Sequence, residues 1–403
     1  MTWPSLSRRS LGGLALACAT APGARAQDGA ARTLAEAANA ICGRMLGGLA
    51  SAASDSSFVV SPLSLADAGA LLVPAAVEEA AEVLRTGFRL PSGPARMQPF
   101  NALDAALAEG ASLRRATALW LRPGAAPLPA YAEAVRPLRT VSRREVDFAA
   151  PDAVPRINAW VADATGGRIR DILGGPLPPN TNAVITAALH FRANWAERFD
   201  AAATRPGPFR RAGAPPMPVP LMTKLVPGGY ARDGAVHAVR LPYADAAFEF
   251  VALAPAADAP VEAVLSVVRE GRAAERLGRL SFADTPVEVT LPRCQADSTT
   301  DLMVALQGTP LGPAFTSRAE YRGMQGLPTQ ISSAVQKAFL LLDEAGTEAA
   351  AATAIVTTTR SGAARPAHPV FRADAPFLAA VRHRASGVFV VLALIGEPRA
   401  VRA

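Results

Sequence analysis

The sequence is poor in the residues that bind metals and carry catalytic chemistry. It has no G-x-S-x-G elbow, no phosphate-binding glycine loop and no C-x-x-C pair. Its four histidines occur at no spacing typical of a metal site. They are His190, His237, His368 and His383. Nothing here indicates an enzyme, and we expect neither a metal nor a cofactor.

Lysine is also scarce, since Lys224 and Lys337 are the only two in 403 residues. The net charge of +7 therefore comes from arginine, which is spread along the whole chain. A nucleic-acid-binding face would concentrate its basic residues. The densest arginine cluster, residues 136–144, offers a polyanion site as an alternative, but we expect no nucleic-acid partner.

The N-terminus has the three-part layout of an export signal. Arg8 and Arg9 precede an apolar run, Leu11–Ala21, and an A-x-A site that ends at Ala26. The paired arginine resembles the bacterial twin-arginine signal, and the run is too short to span a membrane. We expect a signal peptide over residues 1–26, cleavage after Ala26, and a periplasmic or extracellular protein. A lipid anchor on Cys18 is the alternative.

Cleavage would leave only Cys42 and Cys294, which lie 252 positions apart. We expect two buried thiols rather than a disulfide bridge.

Helical periodicity comes early in the chain and strand patterns come late, which predicts an α+β fold in one domain over residues 27–403. Pro-rich connectors are expected at Leu121–Pro129 and Pro206–Pro220. The predicted helices cover Leu34–Leu49 and Leu63–Val83, the latter interrupted at Pro74. The predicted strands are Ala183–Phe191, Ala235–Tyr243, Phe248–Pro255, Pro286–Pro292 and Gly387–Ile395.

One segment, "EAGTEAAAATAIVTTTRSG" (Glu344–Gly362), suits two structures. Its alanines favour a helix, whereas Ala354–Thr359 is largely β-branched and favours a strand. As a strand, the face that starts at Thr347 carries only small or uncharged side chains, so a sheet could bury it. Pattern alone favours an ordinary Ala-rich surface helix for this segment.

The flanking residues resemble those of the serpins, a family of suicide protease inhibitors. The hinge "AVQKAFLLLDEAGTEAAAATA" (Ala334–Ala354) and "FVVSPLSL" (Phe58–Leu65) carry the resemblance. Further matches occur in order along the mature chain. They are Ile157–Leu173, Thr181–Phe199, Leu241–Leu253, Leu291–Leu302 and Phe371–Pro398.

The resemblance implies a serpin fold of mainly antiparallel sheets, with a large central sheet, smaller sheets and eight or nine helices. It also implies an exposed reactive loop over about residues 345–370. Counting from Glu344 and Gly346 as the family does places the reactive bond at Arg360–Ser361, with Arg365 as the fallback. The implied hinge residues are Glu344, Gly346, Thr347, Glu348, Ala349, Ala350, Ala351 and Ala352.

Two more groups match the family by position. The breach, where insertion of the loop begins, matches Trp195, Thr204, Arg293 and Glu344, with an expected Glu344–Arg293 ion pair. The shutter, beneath the strands that part, matches Ser61, Ser64, Ala187 and Gln336. The family's usual asparagine and histidine are replaced by Ala187 and Gln336, so their mutual hydrogen bond is expected to be missing. The family's usual glycine before the turn at Trp195 is replaced by Ala193.

These matches imply a monomeric inhibitor of trypsin-like, Arg-specific serine proteases that acts as a suicide substrate. Arg-directed cysteine proteases are the second target class. The alternative is a non-inhibitory serpin fold that binds a ligand, a chaperone client or a polyanion. An unrelated exported hydrolase is a distant third reading.

Overall fold

The protein is described here from a computed structural model. The described residues are 22–52, 56–107, 112–124, 126–178, 180–347 and 368–401, with only the backbone of residues 22–25 included. This part of the chain contains nine α-helices. They are α1 (Pro22–Ala52), α2 (Pro62–Leu72), α3 (Glu78–Gly87), α4 (Gln98–Ala106), α5 (Pro129–Val135), α6 (Ala153–Ala164), α7 (Glu262–Arg269), α8 (Ala273–Gly278) and α9 (Leu302–Ala305).

Sixteen strands in the same residues form two sheets, and most strand pairs are antiparallel. The strands are β1 (Phe58–Val60), β2 (Leu113–Leu121), β3 (Val141–Glu145), β4 (Ala183–Phe191), β5 (Ala193–Asn194), β6 (Arg205–Phe209), β7 (Met217–Asp233), β8 (Val236–Pro242), β9 (Phe248–Pro255), β10 (Ala283–Pro292), β11 (Cys294–Asp301), β12 (Ile331–Leu342), β13 (Gly346–Thr347), β14 (Val370–Arg372), β15 (Phe377–His383) and β16 (Phe389–Ile395).

The seven-stranded sheet has the order β3-β2-β4-β12-β13-β5, with β11 on the other edge of β12. Its centre is the parallel pair of β4 and β12, which are bonded directly from Ala183–Leu189 to Ile331–Ala338. We call this junction the seam. Any further strand that enters this sheet centrally has to separate β4 from β12.

The two faces of the sheet are buried by different helices. All nine residues of β4 are buried, as expected for a strand that is covered on both faces. Val184 and Ala188 pack in a cluster with α6, whereas Ile185 and Leu189 belong to the main core. On that second face α2 packs against β2, β4 and β16. Every residue of α2 is buried, so the helix lies inside the molecule beneath the seam.

The nine-stranded sheet has the order β1-β16-β15-β9-β8-β7-β10-β14, with β6 paired to β7. The predicted strands all occur in the structure: β4 and β9 have the predicted bounds, and β8, β10 and β16 differ only at their ends. The predicted connector Pro206–Pro220 is wrong. Pro206 pairs with Pro220 and Pro208 with Pro218, in the two strands β6 and β7.

The structure describes only the last few residues of the expected signal peptide, from residue 22 onward. Residue 26, the expected cleavage position, lies near the start of α1, and residues 1–21 lie outside the described part of the chain. No described helix is long and apolar enough to span a membrane. Cys42 and Cys294 are buried free thiols, which confirms the prediction for this pair. Burial raises the pKa of both thiols, that of Cys294 to about 12.

Candidate functional site

The described chain leaves β12 by turning back into the same sheet. After Leu342 it makes a tight turn, and β13 pairs antiparallel with Leu342 on one side. On the other side β13 pairs antiparallel with β5, which directly follows β4. Thr347 is buried there, with 1% of its surface exposed. Because β13 runs antiparallel to both neighbours, its direction continues into the seam between β4 and β12.

An aspartate side chain holds the turn that precedes β13. The Oδ1 atom of Asp343 accepts hydrogen bonds from the backbone N–H groups of Ala345 (2.8 Å) and Gly346 (2.9 Å). This is the local bonding that makes aspartate common in turns. The indole Nε1 of Trp195 donates to the Asp343 carbonyl at 2.9 Å. Burial raises the pKa of Asp343. The turn is therefore fixed from within and from β5's side.

Thr347 sits against an aromatic pair. Its hydroxyl lies 2.6 Å from the Tyr243 hydroxyl, and both atoms are buried. The Tyr243 ring stacks on Trp195 with centroids 4.8 Å apart and an interplanar angle of 6°. Burial raises the pKa of Tyr243, so the hydroxyl stays protonated and available for this bond. The contact holds Thr347 in the sheet at the start of the loop.

Glu344 lies at the outer side of the same turn. Its Oε1 accepts a hydrogen bond from the Thr204 hydroxyl at 2.7 Å. The Nη1 atom of Arg293 is 3.6 Å from that oxygen. The Arg293 side chain is 45% exposed, so water screens this ion pair and weakens it. The backbone N–H of Trp195 donates to the Ala345 carbonyl at 2.9 Å. The structure thus brings all four breach residues together around the turn.

Gly346 is the one position of the turn where a side chain has no room. A Cβ atom built on it would lie 2.1 Å from the carbonyl oxygen of Ala193 and 2.7 Å from Cα of Asn194. Both are backbone atoms that cannot rotate away. Close approach of two backbones requires glycine here, and any substitution would move β13 out of the sheet.

The shutter residues lie beneath the seam, where Gln336 makes contacts that the sequence did not reveal. Ala187 of β4 and Gln336 of β12 are register partners. The Gln336 amide points to the start of α2: its Oε1 accepts from the Ser61 N–H (2.8 Å) and its Nε2 donates to the Ser61 carbonyl (2.9 Å). Ala187 has no polar side chain that could bond to Gln336. The Gln336 amide links β12 to α2 instead.

Ser61 and Ser64 complete this contact. Ser61 is the N-cap of α2, and its hydroxyl accepts a hydrogen bond from the Ser64 N–H at 3.0 Å, a stabilising cap. The same hydroxyl donates to the carbonyl of Val390 in β16 at 2.7 Å. The N-terminus of α2 is thereby tied to both β12 and β16.

Replacing Gln336 by alanine is expected to lower the free energy of unfolding by about 2–4 kcal/mol, because the Ser61 N–H and carbonyl would each lose a buried partner. Urea titration of the uncleaved protein measures this loss. Gln98→Ala, at an exposed position of α4, serves as the control and should change stability by less than about 0.5 kcal/mol. Equal effects of the two changes would contradict the described contact.

Replacing Tyr243 by phenylalanine is expected to loosen the hinge while the aromatic stack stays in place. The Thr347 hydroxyl would be buried without this partner, at a cost of about 1–3 kcal/mol. Hydrogen exchange of the segment that contains Gly346 and Thr347 should accelerate about 5- to 150-fold. Tyr230→Phe, in the nine-stranded sheet, is the matched control. Unchanged exchange in Tyr243→Phe would show that the hydroxyl contact does not hold β13.

Several residues predicted for the site lie outside the described part of the chain. They are Glu348, Ala349, Ala350, Ala351, Ala352, Arg360, Ser361 and Arg365. Sequence reasoning also missed two residues of the hinge. Asp343 had a usable signal, since an aspartate followed by Glu-Ala-Gly is a turn sequence. Tyr243 had none, because its contact with Thr347 joins residues 104 positions apart.

Comparison with known proteins identifies the class to which this fold and hinge belong. The sequence model described as "Serpin (serine protease inhibitor)" matches residues 36–398. This chain belongs to the serpin family.

Individual relatives cover most of the chain. An uncharacterized serpin-like protein of Thermococcus kodakarensis is 29% identical over 86% of this chain and 82% of its own length. The leukocyte elastase inhibitor of Bos taurus is 31% identical over 67% of this chain and 74% of its own. The structure of human thyroxine-binding globulin bound to its hormone is similar with a TM-score of 0.77 at 21% identity, over 92% of this chain and 99% of that one. The proteins similar to this chain thus include one that is named as an inhibitor and one with this fold that is named as a binding protein.

Proposed function

We propose that this protein inhibits trypsin-like serine proteases as a suicide substrate that is cleaved at Arg360–Ser361. The observation that carries the proposal is the position of β13. Its two residues already lie between β12 and β5, antiparallel to both, and point into the seam. A loop freed by cleavage would need no change of direction to continue as a strand between β4 and β12.

The chemistry of the first step belongs to the protease. Its serine attacks the Arg360 carbonyl, Ser361 leaves as the new N-terminus, and an acyl-enzyme forms. Fourteen residues, from Thr347 to Arg360, at about 3.3 Å each would form a strand of roughly 45 Å. Insertion of that strand would carry the tethered protease along the sheet and distort its active site before water hydrolyses the ester.

The residues near the turn would fix the point at which insertion begins, whereas the closed seam would keep it from starting early. Gly346 permits the close approach to Ala193, and Thr347 is fixed by Tyr243. Glu344, with Thr204 and Arg293, holds the outer side of the turn. Farther down, direct pairing of β4 with β12 closes the seam. The β4–β12 pairing is therefore the contact that insertion must replace.

Arg360 sets the target class in this proposal. A guanidinium is recognised by a carboxylate at the base of a protease pocket, as in trypsin-like enzymes. We also propose that the protein is a monomer and that residues 1–26 are the signal peptide that directs its export. Arg-directed cysteine proteases are the second target class to be tested.

The test is to titrate bovine trypsin with the purified mature protein. Loss of trypsin activity should reach completion near equimolar inhibitor, with a complex that survives SDS and a released fragment that begins at Ser361. Cleavage at Arg360 with trypsin left active would reject inhibition of trypsin and favour a non-inhibitory binding role. Release of a fragment that begins at Pro366 would move the reactive bond to Arg365.

A further inference from the structure

A buried ionic trio connects the helix beneath the seam to one half of the sheet. The Nη1 atom of Arg115 in β2 is 2.8 Å from Oδ1 of Asp67 in α2, and its Nη2 is 2.8 Å from Oδ1 of Asp104 in α4. The three side chains are 3%, 8% and 7% exposed. Two carboxylates share one guanidinium, so the trio in its ionised form carries a buried net charge of −1.

The two carboxylates are not equally well bonded. Asp104 also accepts hydrogen bonds from the Thr140 hydroxyl (2.7 Å) and the Arg139 backbone N–H (3.0 Å). Asp67 has only Arg115, and its second oxygen, Oδ2, is buried without a hydrogen-bond partner. A buried carboxylate oxygen without a partner is costly. Asp67 is therefore the member of the trio that holds its charge least well.

Helix α2 is attached to both sides of the seam. Its N-cap, Ser61, is bonded to Gln336 of β12 and to Val390 of β16. Six residues later, Asp67 is bonded to Arg115 of β2, which lies beyond β4 on the other side. An inserted strand would widen the seam by about 4.8 Å. The two attachments of α2 cannot both survive that displacement.

Of the two attachments of α2, the one at Asp67 is the one whose strength depends on pH. Ser61 holds β12 and β16 through three hydrogen bonds between neutral groups, whose strength does not depend on pH. The Asp67–Arg115 bond depends on the charge of Asp67. Burial raises the pKa of Asp67, Arg115 lowers it and the Asp104 charge raises it, and together they bring it to about 6. If β2 withdraws with Arg115, the charge that keeps Asp67 ionised is removed, and the carboxyl takes up a proton.

Given the proposed loop insertion, on which this inference rests, we propose that Asp67, Arg115 and Asp104 form a proton-sensitive clamp on the seam. With Asp67 ionised the clamp holds β2 and β4 close to α2, and the seam stays shut. Protonation of Asp67 removes the ion pair, so the seam opens more readily as the solution becomes more acidic.

The elements packed on α2 bring few other charges to this site. Arg143 of β3 bonds to Glu145, and Tyr131 of α5 donates to the Leu71 carbonyl. The only histidine of β4, His190, is even-numbered like Val184 and Ala188, so it faces α6 rather than α2. The described charged side chains of α1 are exposed, and β16 has none. These charged α1 residues are Asp28, Arg32, Glu36 and Arg44.

Opening of the seam and unfolding of the whole chain should respond to acid in opposite directions. The pKa of Asp67 is about 6 in the fold, compared with its ordinary value of 3.8 in the unfolded chain. The native state therefore binds this proton more tightly than the unfolded state, and its contribution to stability rises as pH falls through 6 toward 4. Seam opening becomes easier over the same range, because the opened site binds the proton more tightly still.

The experiment measures hydrogen exchange in the uncleaved full chain at pH 7.5 and pH 5.5, corrected for the intrinsic chemical rates. Protection of amides in Ile331–Ala338 is expected to fall about tenfold at the lower pH. Amides of β9 report general stability and should show no such fall.

In Asp67→Asn the seam amides should exchange rapidly at both pH values. The control Asp343→Asn removes a half-buried acid of the turn before β13 and should keep the wild-type pH dependence.

A wild-type profile that is flat, or that persists in Asp67→Asn, would overturn the clamp. This readout needs no protease, so it is separate from the proposed inhibitory function. If the clamp behaves as expected but trypsin is not trapped, the inhibitory function alone fails. If trypsin is trapped with no pH effect on the seam, the clamp alone fails.

Discussion

Replacing Arg360 by glutamate is expected to abolish trapping of trypsin. The substitution places a carboxylate opposite the carboxylate of the trypsin pocket, and it removes a buried charge pair of the complex. Loss of one partner of such a pair costs about 2–5 kcal/mol, or roughly 30- to 5,000-fold in association. The second-order rate of trypsin inactivation measures this effect directly.

The matched control for this change is Arg365→Ala, which removes the neighbouring arginine of the loop. Under the proposed reactive bond it should inactivate trypsin at the wild-type rate. The reverse pattern, with Arg365→Ala inert and Arg360→Glu active, would place the reactive bond at Arg365. Inhibition by both variants would contradict recognition through a single arginine.

Replacing Thr347 by arginine is expected to convert the inhibitor into a substrate. Thr347 is 1% exposed and bonded to Tyr243 in a site that offers no counter-charge among its described contacts. Burying an unpaired guanidinium there is strongly unfavourable. The hinge would stay out of the sheet and insertion would slow. Water would then hydrolyse the acyl-enzyme before trypsin is trapped. We expect the trapped fraction of trypsin to fall at least about tenfold, since a change of only 1.4 kcal/mol suffices.

Thr347→Ser keeps the hydroxyl and should trap trypsin as the wild-type protein does. The two variants are compared by the moles of inhibitor consumed for each mole of trypsin inactivated. Cleavage of both at the same rate shows that the arginine acts after the acyl-enzyme forms. Full trapping by Thr347→Arg would mean that residue 347 does not need to be buried for inhibition.

The sequence predicted the central strands well because burial leaves a simple pattern. β4 and β9 are largely apolar runs between turn residues, and the predicted bounds match the structure. The failure at Pro206–Pro220 has a physical reason. Proline cannot donate to a strand ladder and is confined to edges, so its abundance was interpreted as a connector. In the structure these prolines face one another across β6 and β7, and β6 lies off the main path of its sheet.

Some residues of the site could be predicted from the sequence and others could not. Glu344, Gly346 and Trp195 lie in segments that match the family, so their positions could be carried over from the sequence. Gln336 was interpreted only as the loss of a histidine, because its contact with Ser61 joins residues 275 positions apart. The ion pair of Asp67 and Arg115 could not be predicted from the sequence. A charge in a helix gives no sign in the sequence that it is buried, or that its partner comes from a distant strand.

Inhibition by this mechanism requires the cleaved loop to enter the seam as a new strand. The decisive measurement compares the thermal unfolding midpoints of the uncleaved protein and of the protein cleaved at Arg360–Ser361. Insertion would pair about fourteen residues with β4 and β12, and the midpoint should rise by roughly 10 °C or more. Amide exchange in both strands should slow at the same time. A cleaved protein that melts at or below the uncleaved midpoint would contradict the proposed mechanism.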